Sequence, residues 1–244
     1  MNTQHRKIYV SAPGREFVMP YVARAVKDAG MVPADDIADA DAAVLVSDIS
    51  VYAVAADTAA REDSPVDEGS EVLAAERAFA AACAGAKVPC FVLRCADIVG
   101  TGMTGFPREL AESVWRGTFF HFPDNDARRS AVHASDVAAA AVLAAGLAGD
   151  GRGGVIIYNI CGADDPKVHD LAEAFAYRMK NKRISTLSTG GQKWLGRLLY
   201  GRRRMRLYTC SRLADGSAFC GATGFAPVAV CDYMRTHQYD ENSL

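Results

Sequence analysis

Four apolar runs, at residues 7–12, 42–48, 88–94 and 154–160, are separated by stretches in which apolar positions recur at helical spacing, at 18–29, 70–84, 107–116, 135–147 and 167–180. The runs are short and rich in Val, Ile and Leu, which predicts strands. Strand and helix signals in alternation predict an α/β fold, a parallel sheet with helices on both faces. The helix at 135–147 is rich in alanine, a composition that permits close packing on a sheet. Ser135 ahead of Asp136 predicts its N-cap, and Gly146 and Gly149 its stop. Residues 57–70, charged and holding Pro65, predict a loop.

Composition narrows the function classes. Half of the 244 residues are apolar, enough for a sizeable core, and the formal net charge of −2 offers no global field for nucleic acid or an anionic membrane. No run is long enough to span a bilayer, and Met1 to Lys7 carries no apolar leader, so a soluble, cytoplasmic protein is expected. Seven cysteines without a C-x-x-C pair and five histidines without H-x-x-x-H spacing predict reduced thiols and no metal site. Charge is uneven, however. Residues 174–214 hold eleven Lys or Arg and no acid, including Arg202-Arg203-Arg204 behind an apolar stretch at 192–200. The stretch reads as a helix with anion-binding arginines, whose planar guanidinium makes paired hydrogen bonds, as a solvated basic face, or as a polyanion or membrane-surface patch.

Several motifs follow one another in the second half. Lys87 to Arg94 and then Asp97-Ile98-Val99-Gly100-Thr101-Gly102 form a strand and glycine loop. Arg129-Ser130-Ala131-Val132-His133-Ala134-Ser135-Asp136 precedes the alanine helix, and Ile157-Tyr158-Asn159-Ile160-Cys161-Gly162 ends the next strand. Ser211-Arg212-Leu213 and Gly224-Phe225-Ala226-Pro227 come later. In this order they resemble the NAD-dependent epimerase/dehydratase family, the extended short-chain dehydrogenases, over roughly the last two thirds of the chain. The resemblance implies a Rossmann-like parallel sheet and a small C-terminal substrate lobe, divided here as 1–160 and 161–244. It also implies a nucleoside-diphosphate sugar as ligand. Arg129, Asn159 and Arg203 are the candidate substrate contacts. His133 and Asp136 read as structural, orienting a loop and capping a helix, and Arg94 as scaffold.

The first third departs from that family. Its dinucleotide fingerprint needs three glycines in the turn after the first strand, so that backbone N–H groups and a helix N-terminus can meet the pyrophosphate. Pro13, Glu16 and Met19 stand at those positions, and Gly14 alone survives nearby. Ser11, Gly14 and Ser47 are the remaining candidate cofactor contacts. The family's catalytic tyrosine and lysine positions fall on Glu68 and Val72, which cannot perform proton transfer to a carbonyl. Tyr52 is a substitute acid/base candidate without a lysine beside it. The spacing also leaves room for about two strand–helix steps at roughly 30 residues per unit, so the cofactor half is abbreviated. Whether 42–48 takes the place of the family's fourth or fifth strand stays open at this point.

These readings predict a degenerate relative that binds a nucleotide sugar or serves as a partner subunit, with no cofactor. The alternative is an active enzyme using NAD or NADP in an atypical site. A second alternative rests on Lys7 to Pro13 and Asp67-Glu68-Gly69-Ser70, which resemble nucleoside deoxyribosyltransferases. A narrower sheet also predicts an uncovered helix face within 72–84, around Leu73, Ala80 and Ala81 with Val88 nearby. That face would pair in a homodimer or in a heterodimer with a full-length relative.

Overall fold

The structure is a computed structural model describing residues 6–150, 154–179, 182–186, 201 and 203–236. The runs at 192–200 and 202 lie outside the described residues. A five-stranded, wholly parallel sheet forms the centre. Its strands are β1 (Lys7–Ser11), β2 (Val32–Pro33), β3 (Ala42–Asp48), β5 (Cys90–Cys95) and β9 (Val155–Ile160), in the order β2-β1-β3-β5-β9. Between β3 and β5 lies the two-residue strand β4 (Ala59–Ala60). Between β5 and β9 lie β6 (Asp97–Val99), β7 (Phe120–His121) and β8 (Ala131–His133). All four predicted strands are present.

Burial explains why β3 and β5 read as unbroken apolar runs. Every residue of Cys90–Cys95, and all of Ala42–Asp48 except Asp48, is buried, because helices cover both faces of a parallel sheet. Helices α1 (Met19–Asp28) and α4 (Ala134–Gly146) pack together on one face. Helix α2 (Glu71–Ala86) lies on the other, over Ala43, Leu45, Cys90 and Val92. Helix α4 buries Ala138, Ala140, Ala141, Ala144 and Ala145 against the sheet. Its N-cap is His133 rather than Ser135: His133 Nδ1 accepts the Ser135 backbone N–H at 3.2 Å. The imidazole reaches the first turn from outside it, so the helix starts two residues earlier than a Ser135 cap would place it. Asp136 then accepts the Val228 N–H at 2.9 Å, tying the helix to the C-terminal segment.

Strand β3 sits beside β1, opposite β2. That is the seat of the fourth strand in the usual doubly wound order, so among the described residues no strand lies outside β2. Val32 and Pro33 are exposed, and a two-residue strand with a proline makes a blunt edge. Residues 34–41 cross to β3 through a 3-10 turn, Ile37–Asp39, in place of a crossover helix.

A second apolar cluster builds the lobe. It gathers Leu110 and Val114 of α3 (Gly105–Trp115), Leu171 and Phe175 of α5 (Val168–Arg178), Tyr208, and Met234. Met234 belongs to α7 (Val230–Thr236), which follows α6 (Ser217–Thr223). The two cores interleave along the chain. Leu110 to Phe122 belong to the lobe, whereas Ala214, Phe219 and Phe225 join the sheet cluster. Gly162, in the motif after β9, marks a close backbone crossing: its N–H donates to Ala131 O at 2.8 Å, and a Cβ there would meet that oxygen at 2.4 Å.

Helix α2 turns Leu73 and Cys83 into the core and sets Phe79 and Ala80 against the sheet, with Val88 beside them. The sheet is thus the partner of Leu73, Ala80 and Val88, which lie on the helix's inner side. Its exposed row is Ala74, Ala78, Ala81 and Ala82.

Candidate functional site

A crevice of about 170 Å³ opens at the carboxyl ends of β1 and β3, where open α/β sheets bind ligands, and the lobe closes it from above. Asp48, the last residue of β3, is its pivot. Arg15 from the β1–α1 turn and Arg212 from the segment before α6 both pair with this carboxylate, Arg212 Nη2 at 2.8 Å from Oδ1. Burial opposes ionisation of Asp48, but Arg212, Arg15 and the Ser50 N–H outweigh it and hold the carboxyl below its ordinary value. Arg129 is 3 % exposed. Its Nε donates to Asp97 Oδ2 at 2.8 Å, and its guanidinium lies 4.0 Å over the Phe106 ring. Nη2 forms an ion pair with the same oxygen at 2.7 Å, and among the described residues this buried nitrogen has no hydrogen-bond partner. Arg203 lies at the rim, largely exposed, 3.4 Å from Glu109.

The β1–α1 turn beneath is satisfied from within. Gly14 takes a left-handed conformation, φ 71°, and donates its N–H to Glu16 Oε1 at 2.9 Å. Hydrogen bonds from the backbone of Glu16 and Gly14 lower the Glu16 pKa. A carboxylate of the chain itself therefore occupies the donors that would face a phosphate in a glycine-rich turn. Phe17 packs under Gly102, where a Cβ would lie 3.1 Å from Phe17 Cβ, and the Tyr21 hydroxyl accepts the Thr101 N–H at 3.1 Å. With the Arg15–Asp48 pair across the crevice, these residues do not fit a dinucleotide in the usual pose.

Tyr52, Ser47 and Asn159 belong to a different assembly, a buried polar chain through the sheet end. Ser47 Oγ donates to Glu76 at 2.6 Å, and Arg94 pairs with Glu76 at 2.8 Å. Arg94 also lies 4.8 Å over the Tyr52 ring. Tyr52 in turn donates its hydroxyl to Asn159 Oδ1 at 2.6 Å. The Asn159 amide nitrogen is spent on the Ala60 and Asp215 carbonyls, at 3.0 and 3.2 Å. Burial raises the Tyr52 pKa, the opposite of what an acid/base tyrosine requires. Of the positions aligned with the family's catalytic pair, Glu68 is exposed and bound to Arg77 at 2.8 Å, and Val72 packs beside the core. Ser11 ends β1, partly exposed, and is not among the crevice's lining residues.

The structure thus brings Arg129 and Arg203 together and adds Arg15, Asp48, Asp97 and Arg212, which the sequence reading had not singled out. Arg212 and Asp97 stood within motifs already read, so a signal existed for those two. Among the described residues, no group of three His, Cys, Asp or Glu is placed to hold a metal, and no helix is long and apolar enough to cross a membrane.

No protein-family model and no curated protein sequence matches the chain. Solved structures do. UDP-glucose-4-epimerase from Stenotrophomonas maltophila, with bound NAD and formylated UDP-arabinopyranose, aligns with a TM-score of 0.68 and 16% identity, covering 95% of this chain and 96% of that one. UDP-N-acetylglucosamine 4-epimerase from Bacillus cereus gives 0.65 and 16%, covering 94% and 97%. RMD from Pseudomonas aeruginosa, complexed with NADPH, gives 0.65 and 13%, covering 94% and 97%. At such identities the likeness is one of fold, and the chain has the Rossmann-like fold of these enzymes, in line with the epimerase/dehydratase family that its later motifs resemble.

Proposed function

We propose that the chain is a degenerate epimerase/dehydratase-like protein that binds a nucleoside-diphosphate sugar, alone or as a partner subunit, and performs no dinucleotide redox chemistry. The observation that carries this reading is the closed turn after β1: Glu16 holds the Gly14 N–H, and Arg15 bridges to Asp48 across the crevice. A pyrophosphate placed there would have to displace one carboxylate and lie against another, both repulsive. The Arg129–Phe106 wall supports an anionic ligand with an apolar body. The solved neighbours with bound NAD, NADPH or a nucleotide sugar favour the second reading, an active enzyme with an atypical cofactor site. The glycosyl-transfer reading would need Glu68 at a ligand, and Glu68 is engaged by Arg77 and does not line the crevice.

Titration with NADH, followed by its fluorescence or by calorimetry, separates the first two readings. No saturation is expected near physiological concentrations, and micromolar saturable binding would sink the degenerate reading. UDP-glucose is expected to raise Tm through mass action on the folded state, and Arg129→Ala to abolish that rise. An unchanged rise in the variant removes Arg129 from the site.

The dimer proposal moves to the outer row of α2, whose exposed alanines allow two helices to approach closely in an isologous contact. Light scattering is expected to give a dimer at micromolar concentration, and Ala78→Glu a monomer with unchanged Tm for the fold itself. A wild-type monomer, or a dimer indifferent to Ala78→Glu, removes this helix as the contact.

A further inference from the structure

We propose that the crevice between β1 and β3 seats a single phosphate monoester on a small body, a sugar monophosphate, so that any nucleoside attached to it lies outside. This narrows the ligand of the site put forward above and rests on that site being the binding site.

Charge is the first argument. Arg15, Arg129, Arg203 and Arg212 line the crevice against three carboxylates, Asp48, Asp97 and Glu109. Asp48 serves two guanidinium groups at once, so among the described residues the four arginines face three carboxylates. Backbone pairing makes the excess local. Arg129 and Arg212 are partners in a parallel β-bridge, so two cationic side chains leave neighbouring backbone positions, an arrangement that repels unless anions lie between. Asp48 and Asp97 supply two such anions, and among the described residues the buried Arg129 Nη2 still lacks a hydrogen bond. Guanidinium forks match the oxygens of a phosphate, which can accept from several donors at once.

Size is the second argument. At about 170 Å³ the crevice lies below the roughly 300–1,000 Å³ that holds a drug-sized ligand. A phosphate with one small polar ring fits that scale, and a whole nucleoside-diphosphate sugar exceeds it. The Phe106 ring under Arg129 and the Leu207 side chain form an apolar wall for the carbon face of such a ring. Asp48 is then the internal competitor. As a carboxylate already bridging Arg15 and Arg212, it must share them with the phosphate, and its charge limits affinity.

The test compares glucose 1-phosphate, UDP-glucose, glucose and sulfate by calorimetry and Tm on the full chain. Glucose 1-phosphate is expected to bind within about threefold of UDP-glucose, with glucose and sulfate at least tenfold weaker. Arg212→Gln is expected to weaken glucose 1-phosphate tenfold or more, and Asp48→Asn to tighten it, a gain that a purely structural aspartate would not give. Should Arg212→Gln fail to fold, Arg15→Gln carries the same expectation. UDP-glucose binding at least tenfold tighter than glucose 1-phosphate overturns the inference and leaves the nucleotide-sugar reading standing. Glucose 1-phosphate binding without UDP-glucose does the reverse. Binding of neither overturns both, and sulfate binding as tightly as the ester marks the crevice as a general anion hole and overturns the inference alone.

Discussion

Arg94→Met should cost about 3–5 kcal/mol of folding stability, the range for removing one partner of a buried ion pair. Arg94 and Glu76 are almost wholly buried, joined at 2.8 Å, with a second guanidinium contact from Nε at 3.1 Å. Methionine matches the length of the arginine stem and fills its volume, so the loss comes from charge and not from a cavity. Glu76 would be left with the Ser47 hydroxyl as its remaining partner, and Tyr52 would lose the cation over its ring. Each kcal/mol moves Tm by about 2–4 °C in a chain of this size, so the variant should melt on the order of 10 °C lower in calorimetry. The double change Arg94→Met with Glu76→Gln should recover much of that, because the stranded charge is gone and the amide can still accept from Ser47. A single variant within about 1 kcal/mol of wild type would mean that water reaches this pair and that the chain from Ser47 to Asn159 is not a closed network.

That network also shows what the sequence could and could not reveal. The strands were legible because their burial is local and total: Cys90–Cys95 is apolar apart from Arg94, and its one charge was read as scaffold, which fits the Glu76 pairing. Pro13 and Glu16 were read as standing in place of glycines in the turn after β1, a reading of residue types at fixed positions. What Glu16 does there was not legible, because its hydrogen bond to Gly14 depends on the turn's conformation. Asn159 was read at a strand end, where a ligand contact and a loop-closing hydrogen bond were both open; in the structure it is buried and does not line the crevice. Only the positions of Ala60, Asp215 and Tyr52 show where its amide group is spent. The Arg15–Asp48–Arg212 assembly joins the first turn, the end of β3 and the segment before α6, and no local spacing encodes a contact between residues 164 positions apart. Ser135 misled for a simpler reason. Ser-Asp is the commoner capping pair, and an imidazole reaching forward to the Ser135 N–H overrode it.

The acid limb of stability should report on Asp48. Its carboxyl is held below the ordinary value in the folded chain, so the sign follows from proton binding: the unfolded state takes up the proton first as pH falls. The contribution of Asp48 is therefore fully present above its unfolded pKa of about 3.9 and disappears as pH falls through the lower folded value. Asp48→Asn should cost about 1.5–3 kcal/mol at pH 7, the range for hydrogen bonds to charged groups, because Arg15 and Arg212 are left facing one another with a neutral acceptor. Urea unfolding at pH 7, 5, 4 and 3 should show a constant gap between wild type and variant down to about pH 4, narrowing below it. A gap that persists unchanged at pH 3 would mean that Asn fails by shape and not by charge. Phosphate ester at pH 7 gives the converse. If the two arginines are the anion seat, glucose 1-phosphate should stabilise Asp48→Asn more than wild type, restoring by binding part of what the lost carboxylate supplied.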